Sequence, residues 1–393
     1  MPAHLSGKAD AIASTTDTRP SQAIALPLDI VQILDEALAL DTDFAKCDRR
    51  QLEAASAYRR TVLRSASLTC RTFHQAASRR MFEVLDPASA SHVRTILDQL
   101  KRASLPTRSR SRTLILDPGL MGVSGAAVAR MIALCPALET IVCDLHLISS
   151  LVHLPPIRRL FLGRAELVVI MRLLGESQLE DLRVESLTRE VDGLTIAALE
   201  SARAAAYHLR RLEVAFDTTG FVASADGTPE ASEGPISQLP TPFEYLCMSA
   251  YSLTHLRLAG AEARPISSAL RKLRRLALEK PPRGAGGLQV LEIVVPPEEN
   301  VRQFLRELLG FLPEATLVRL HVVCCEPFGA ASAASVFATD ELDGMARLRT
   351  LAITSTSPIL PTDKRVTHLR AAFANLRSLC GDRGIELITP LDS

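Results

Sequence analysis

The chain has 393 residues, 47% of them hydrophobic, enough to bury a large core. Its formal net charge of +1 supplies no bulk field that would draw it to nucleic acid or to a membrane surface. Tryptophan is absent and aromatics make up only 4%, so the core has to come from Leu, Val, Ile and Ala, and a base-stacking surface is disfavoured.

Residues 1–23 read as a disordered Ser/Thr/Ala-rich tail without the apolar stretch of a signal peptide. Helical spacing follows from Leu26 to Leu38, carried by Ile30, Ile33, Leu34, Ala37 and Leu38, with Pro27 at the entry. After a polar stretch from Asp41 to Arg50, the pattern predicts helices over Leu52–Leu63, continuing through Leu68, and over Arg71–Phe82. Val84-Leu85 begins a first strand, and Ser91–Leu100 is helical. Lys101, Arg102, Arg108, Arg110 and Arg112 mark a basic stretch. It reads as a solvated connector, with a nuclear-localisation or phosphate-binding patch as the functional alternative. Thr113–Leu116 is a strand, and Val123–Leu134 is a helix stopped at Cys135-Pro136. The order helix, Pro-containing turn, strand recurs over Val301–Leu312, Pro313 and Leu317–Val322.

From there one phrase dominates, Leu-x-x-Leu-x-Leu or a near relative. It reads Leu179-x-x-Leu182-x-Val184, Leu209-x-x-Leu212-x-Val214 and Leu253-x-x-Leu256-x-Leu258. It continues as Leu273-x-x-Leu276-x-Leu278, Leu288-x-x-Leu291-x-Ile293, Leu317-x-x-Leu320-x-Val322 and Leu348-x-x-Leu351-x-Ile353. Weaker copies begin at Leu138 and Ile157. Alternate side chains of a strand share a face, so the last two apolar residues of each phrase point inward together. Leucine-rich repeats run about 20–29 residues with a strand and a helix or shorter turn in each. The expected fold is therefore α/β, an irregular leucine-rich-repeat solenoid over 112–390. It has a parallel sheet on the concave side and helices on the convex side. Spacing between phrases is uneven, and the Gly/Ser/Thr/Pro-rich stretch 217–242 reads as a disordered insertion.

Residues between the leucines are left as the recognition surface. The candidates for target binding are Arg159, Phe161, Arg183, Arg211, His255, Arg257, Arg275, Arg319 and His321. The frequency of Arg suggests an acidic or phosphorylated protein target; the plainer reading is that solvent-facing positions need soluble residues.

The amino-terminal segment reads Leu26-Pro27-Leu28-Asp29-Ile30-Val31-Gln32-Ile33-Leu34, then Leu63 and Ser67-Leu68-Thr69-Cys70-Arg71-Thr72-Phe73, closing on Arg79-Arg80-Met81-Phe82-Glu83-Val84. This resembles the F-box, a small all-α module, as found in fungal proteins that also carry irregular leucine-rich repeats. Residues 35–62 separate its two halves by more than the family's usual spacing. The resemblance implies a module over 24–83, joined by a connecting helix and basic linker over 84–111. It also implies a Skp-type adaptor as partner and, through it, the cullin of a ubiquitin ligase. Leu26, Pro27, Ile30, Ile33, Leu34, Leu63, Leu68, Cys70 and Phe73 would meet the adaptor. The alternative is that the helical unit only caps a leucine-rich-repeat interaction scaffold with no ubiquitin-ligase role.

No nucleotide-binding, hydrolase or zinc-protease motif is present. The eight cysteines form no Cys-x-x-Cys, and the nine histidines are dispersed. Gly284-Ala285-Gly286-Gly287 precedes a strand and reads as a turn. The expectation is a non-enzymatic protein with no cofactor or metal, no nucleic-acid or membrane partner, and a cytoplasmic or nuclear location.

Overall fold

The structure, a computed structural model, describes residues 49–69, 80–116, 122–144, 157–166, 179–188, 209–216, 253–260, 287–295, 300–309, 316–338, 345–357 and 365–392, with isolated positions between them. Among these, eleven strands form one sheet in chain order, every neighbouring pair parallel. The strands are β1 Val84–Leu85, β2 Thr113–Ile115, β3 Thr140–Cys143, β4 Arg159–Glu166, β5 Asp181–Thr188 and β6 Arg211–Phe216. They continue as β7 His255–Gly260, β8 Val290–Val294, β9 Arg319–Cys324, β10 Thr350–Ser355 and β11 Glu386–Ile388. The strand order never reverses, which separates this sheet from doubly wound folds and is compatible with a solenoid-like α/β architecture.

The register explains why the phrase recurs. Leu85, Leu114, Ile141, Leu160, Leu182, Leu212, Leu256, Leu291, Leu320, Leu351 and Leu387 are successive partners along one unbroken row. Each phrase among the described residues places one residue in this row and its last apolar residue in the next. The opening leucine of each phrase, such as Leu179, Leu253 or Leu317, is buried beside them. A one-residue slip would turn the whole set to the other face.

Helices cover the leucine face. They are α2 Ala90–Arg102, α4 Gly125–Leu134, α5 Val301–Leu309, α6 Pro327–Phe337 and α7 Arg365–Asp382, preceded by α1 Arg49–Thr69, with a short α3 at Leu105–Arg108. Val93, Ile96 and Leu100 of α2, Val128 and Met131 of α4, Phe304 and Leu305 of α5, and Leu369, Phe373 and Leu376 of α7 enter the main core. Side-chain oxygens start three of these helices. Ser89 accepts from the His92 N–H, Ser124 from the Ala127 N–H, and Asn300 from the Arg302 and Gln303 N–H groups. Helix α6 is Ala-rich and lies close to its neighbours, with Ala330, Ala333, Ala334 and Phe337 wholly buried. Its outer side carries only Phe328, Gly329, Ser332 and Ser335 and no charge, so it lacks the contrast of an apolar stripe against a charged face that gave away the others.

The strand expected at Val84-Leu85 and the helix expected over Ser91–Leu100 are present as β1 and α2, and both belong to the layered body. Much of the basic stretch closes α2 and α3, and Arg112 pairs with Glu139. β7 pairs directly with β8, and the phrase at Leu273–Leu278 lies outside the described residues. β11 is an additional strand without the full phrase. Gly287 has φ +67°, and a Cβ there would lie 2.9 Å from the Thr316 side chain, so the turn before β8 requires glycine. The 217–242 insertion and the 1–23 tail lie outside the described residues.

Helix α1 does not join the others. Leu52 packs with Val84, Ile115, Val142 and Phe161, the outward residues of β1 to β4, so α1 crosses the opposite face of the sheet. Ser56 Oγ donates to Asp86 Oδ2 at 2.7 Å, Arg60 Nη1 donates to the Asp86 carbonyl at 3.0 Å, and Arg59 donates to the Arg80 carbonyl at 2.5 Å. The helical segment is thus fastened to the first strand.

Candidate interaction surface

On the face away from the leucines, the residue between the last two apolar residues of each phrase also forms a row. Phe161, Arg183, Glu213, Arg257, Glu292 and His321 are register partners in that order. Their chemistry interlocks. The Arg183 guanidinium lies 4.5 Å from the Phe161 ring centroid. Arg183 meets Glu213 at 3.5 Å, and Glu213 meets Arg257 at 3.6 Å. Arg257 meets Glu292 at 2.7 Å, and Glu292 meets His321 at 3.4 Å. His321 Nε2 ends the series 2.8 Å from the Thr354 hydroxyl. The adjacent row reinforces it, because Arg183 also makes a two-point contact with Asp181, and Arg211 joins Glu213 at 2.5 Å.

Burial opposes ionisation of Glu292, but the His321 hydrogen bond and the Arg257 and His321 charges outweigh it and hold the carboxyl below its ordinary value of 4.5. A carboxyl depressed on folding stabilises the fold fully above its unfolded value. That contribution disappears as pH falls through the lower folded value. The difference in thermal stability between wild type and Glu292→Gln is therefore expected to hold above about pH 4.5 and to shrink below it. Melting curves from about pH 3 to 7 check this; a difference independent of pH would exclude the pairing as its source.

The expected target-binding residues divide into three groups. Phe161 and Arg183 point away from the leucines but are only 2% and 6% exposed, because Leu52 covers the ring and acidic neighbours enclose the guanidinium. Their expected availability to a partner is corrected on that ground. Arg257 and His321 belong to the ion-pair row, Arg211 joins it from the adjacent row, and His255 is 2.9 Å from its neighbour's hydroxyl, Thr254 Oγ1. Arg159 and Arg319 have no ion pair among the described residues, and Arg275 lies outside them. The carboxylates Asp181, Glu213 and Glu292 complete the row. Comparing the phrases position by position, and not collecting arginines, would have exposed the alternation of charge.

Of the expected adaptor contacts, Leu26, Pro27, Ile30, Ile33, Leu34, Cys70 and Phe73 lie outside the described residues. Leu63 is buried against Ala77, whereas Leu68 is 80% exposed near the end of α1. Between α1 and α2 lies a cavity of about 650 Å³ lined by Arg59, Leu63, Phe82, Asp86 and Ile96 among others, and Arg59 Nε is buried there without a hydrogen bond. Cys324 behaves as a core residue, its thiol pushed up to about 12 by burial and by the neighbouring Cys325. Among the described residues, no group of three or more His, Cys, Asp or Glu is placed to hold a metal ion, and no helix is long and apolar enough to cross a membrane. No protein-family model matches the chain, and no curated protein matches it.

Proposed function

We propose that this chain is the substrate-recognition subunit of a Skp-cullin-F-box type ubiquitin ligase, built as an F-box-like helical module followed by irregular leucine-rich repeats. The observation carrying this reading is the order of features in the sequence. Leu26-Pro27 and an apolar helix come first, then Ser67-Leu68-x-Cys70-Arg71-x-Phe73, then a run of repeats that stack. The exposure of Leu68 fits a module that keeps an apolar contact for a partner. In this reading the protein does no chemistry and works in the cytoplasm or nucleus. Its repeats hold a target while the helices hold the adaptor, which raises the local concentration of acceptor lysines at the ligase.

The second reading, an interaction scaffold with no ligase link, is favoured by Leu52, which makes α1 a cover for the first strands. Co-purification of the full chain with a Skp-type adaptor separates the two. The full chain is needed because α1 is anchored by Val84 of β1 and by Asp86 just after it. Wild type is expected to retain the adaptor, and Leu26→Ala with Pro27→Ala to weaken retention roughly 10-fold or more, the loss of two apolar anchors. A wild-type chain that retains no adaptor removes the ligase reading. Retention unchanged by the double substitution places the contact elsewhere.

A further inference from the structure

The central row of the charged face satisfies itself, so recognition has to use charges left over. These gather on one side, at the residues just before the strands. Arg210 precedes β6, Arg349 precedes β10, and Arg319 opens β9; all are exposed, with no ion pair among the described residues. The carboxylates nearby each have a partner, and Glu180 and Glu386 flank the two ends of the rim, Glu386 keeping its charge. Glu180 faces Arg158 at 3.9 Å, Asp181 holds Arg183, and Glu386 accepts from the Thr350 hydroxyl at 3.2 Å. Backbone hydrogen bonds set the order of the rim, running from Arg210 through Thr254, Gln289 and Val318 to Arg349. The three residues between the arginines are uncharged, and Val318 is exposed. Burial pushes the nearby His255 down, helped by Arg211 and Arg319 against Asp181 and Glu213, so the imidazole contributes a hydrogen-bonding group here in its neutral form.

We propose that the rim from β6 to β10 binds an acidic, Asp/Glu-rich segment of a partner protein, laid across the strands with carboxylates at both ends. Arg210 holds one end, Arg319 and Arg349 hold the other, and Thr254, Gln289 and Val318 contact the middle. Four strand spacings of about 4.8 Å separate Arg210 from Arg349, roughly 19 Å. An extended peptide covers that distance in about six residues. The proposal rests on the sheet being the target-binding part of the molecule and is independent of the adaptor contact.

The test uses the full chain and a fluorescein-labelled peptide with two Glu-Asp pairs about six positions apart in a Ser/Gly background. Its comparison is the same peptide with Gln-Asn pairs. Wild type is expected to raise the anisotropy of the acidic peptide only. Arg210→Ala with Arg319→Ala and Arg349→Ala should weaken binding roughly 10-fold or more. Arg94→Ala with Arg306→Ala and Arg370→Ala, which removes the same charge from exposed helix positions, should leave it within about 2-fold. Reversal of the three rim arginines to Glu should transfer binding to a Lys-containing version of the peptide. Absence of any preference for the acidic peptide, or equal loss in both alanine triples, overturns the proposal. Adaptor retention by the rim triple keeps this outcome separate from the ligase reading: a chain that binds peptide but no adaptor loses only the latter.

Discussion

Replacing Leu320 with alanine is expected to lower the free energy of unfolding by about 2–5 kcal/mol. Leu320 is wholly buried, standing between Leu291 and Leu351 in the continuous leucine row. Transfer of its side chain from water contributes roughly 1.5–3 kcal/mol. The cavity left behind adds to the loss, because flanking strands held by their own hydrogen bonds relax only in part. A stacked sheet is exposed to such a change. Each inner strand has just two strand neighbours, so within the sheet β9 links β10 and β11 to everything before it. Val318→Ala, at an exposed position two residues away, provides the comparison and is expected to stay within about 0.5 kcal/mol. Urea unfolding followed by circular dichroism reads both. Equal losses in the two variants would mean that the leucine row does not carry the stability assigned to it.

Arg183→Ala should cost a similar amount, about 3–5 kcal/mol, for a different reason. The Arg183 side chain is 7% exposed, and it faces Asp181 at 10% and Glu213 at 13%. Its removal leaves two largely buried carboxylates with less positive charge and uncovers the Phe161 ring. Arg183→Met keeps much of the aliphatic cover over Phe161 while deleting the charge, so the difference between the two variants isolates the packing. A double-substitution cycle with Glu213→Gln then measures the ionic coupling. The exposed Arg112–Glu139 pair is the reference, with an expected coupling of about 0–1 kcal/mol. If Arg183→Ala is no more damaging than Arg112→Ala, the charged row is surface decoration and not part of the fold.

The leucine row was legible in the sequence because its physical cause is local. A side-chain period of two, repeated at the same place in each phrase, requires only that the strands stack in register. Helices with one apolar stripe, such as α2 and α4, were legible for the same reason. Helix α6 was not, because an Ala-rich segment whose outer side carries only small or uncharged residues gives little periodic signal. The direction taken by α1 was also hidden. Leu52 reads as one more apolar residue on a helix, and its contact with Phe161 joins positions far apart in the chain. The charged row was half visible. Each arginine was evident, but its meaning depends on the residue at the same register position of the next strand. Glu292 therefore turns Arg257 from a free cation into a neutralised one. Arg210, Arg319 and Arg349, which make no ion pair among the described residues, stand out only after that subtraction.

The proposed role joins two binding events in one chain: Ser56 and Arg60 of α1 are bonded to Asp86, which follows β1, and the sheet continues from β1 to β11. The most direct measurement immobilises the full chain and offers it a cullin with and without a Skp-type adaptor. Cullin retention is expected only when the adaptor is present. Failure of an adaptor-containing mixture to retain the cullin, or equal retention without the adaptor, would contradict the proposed role.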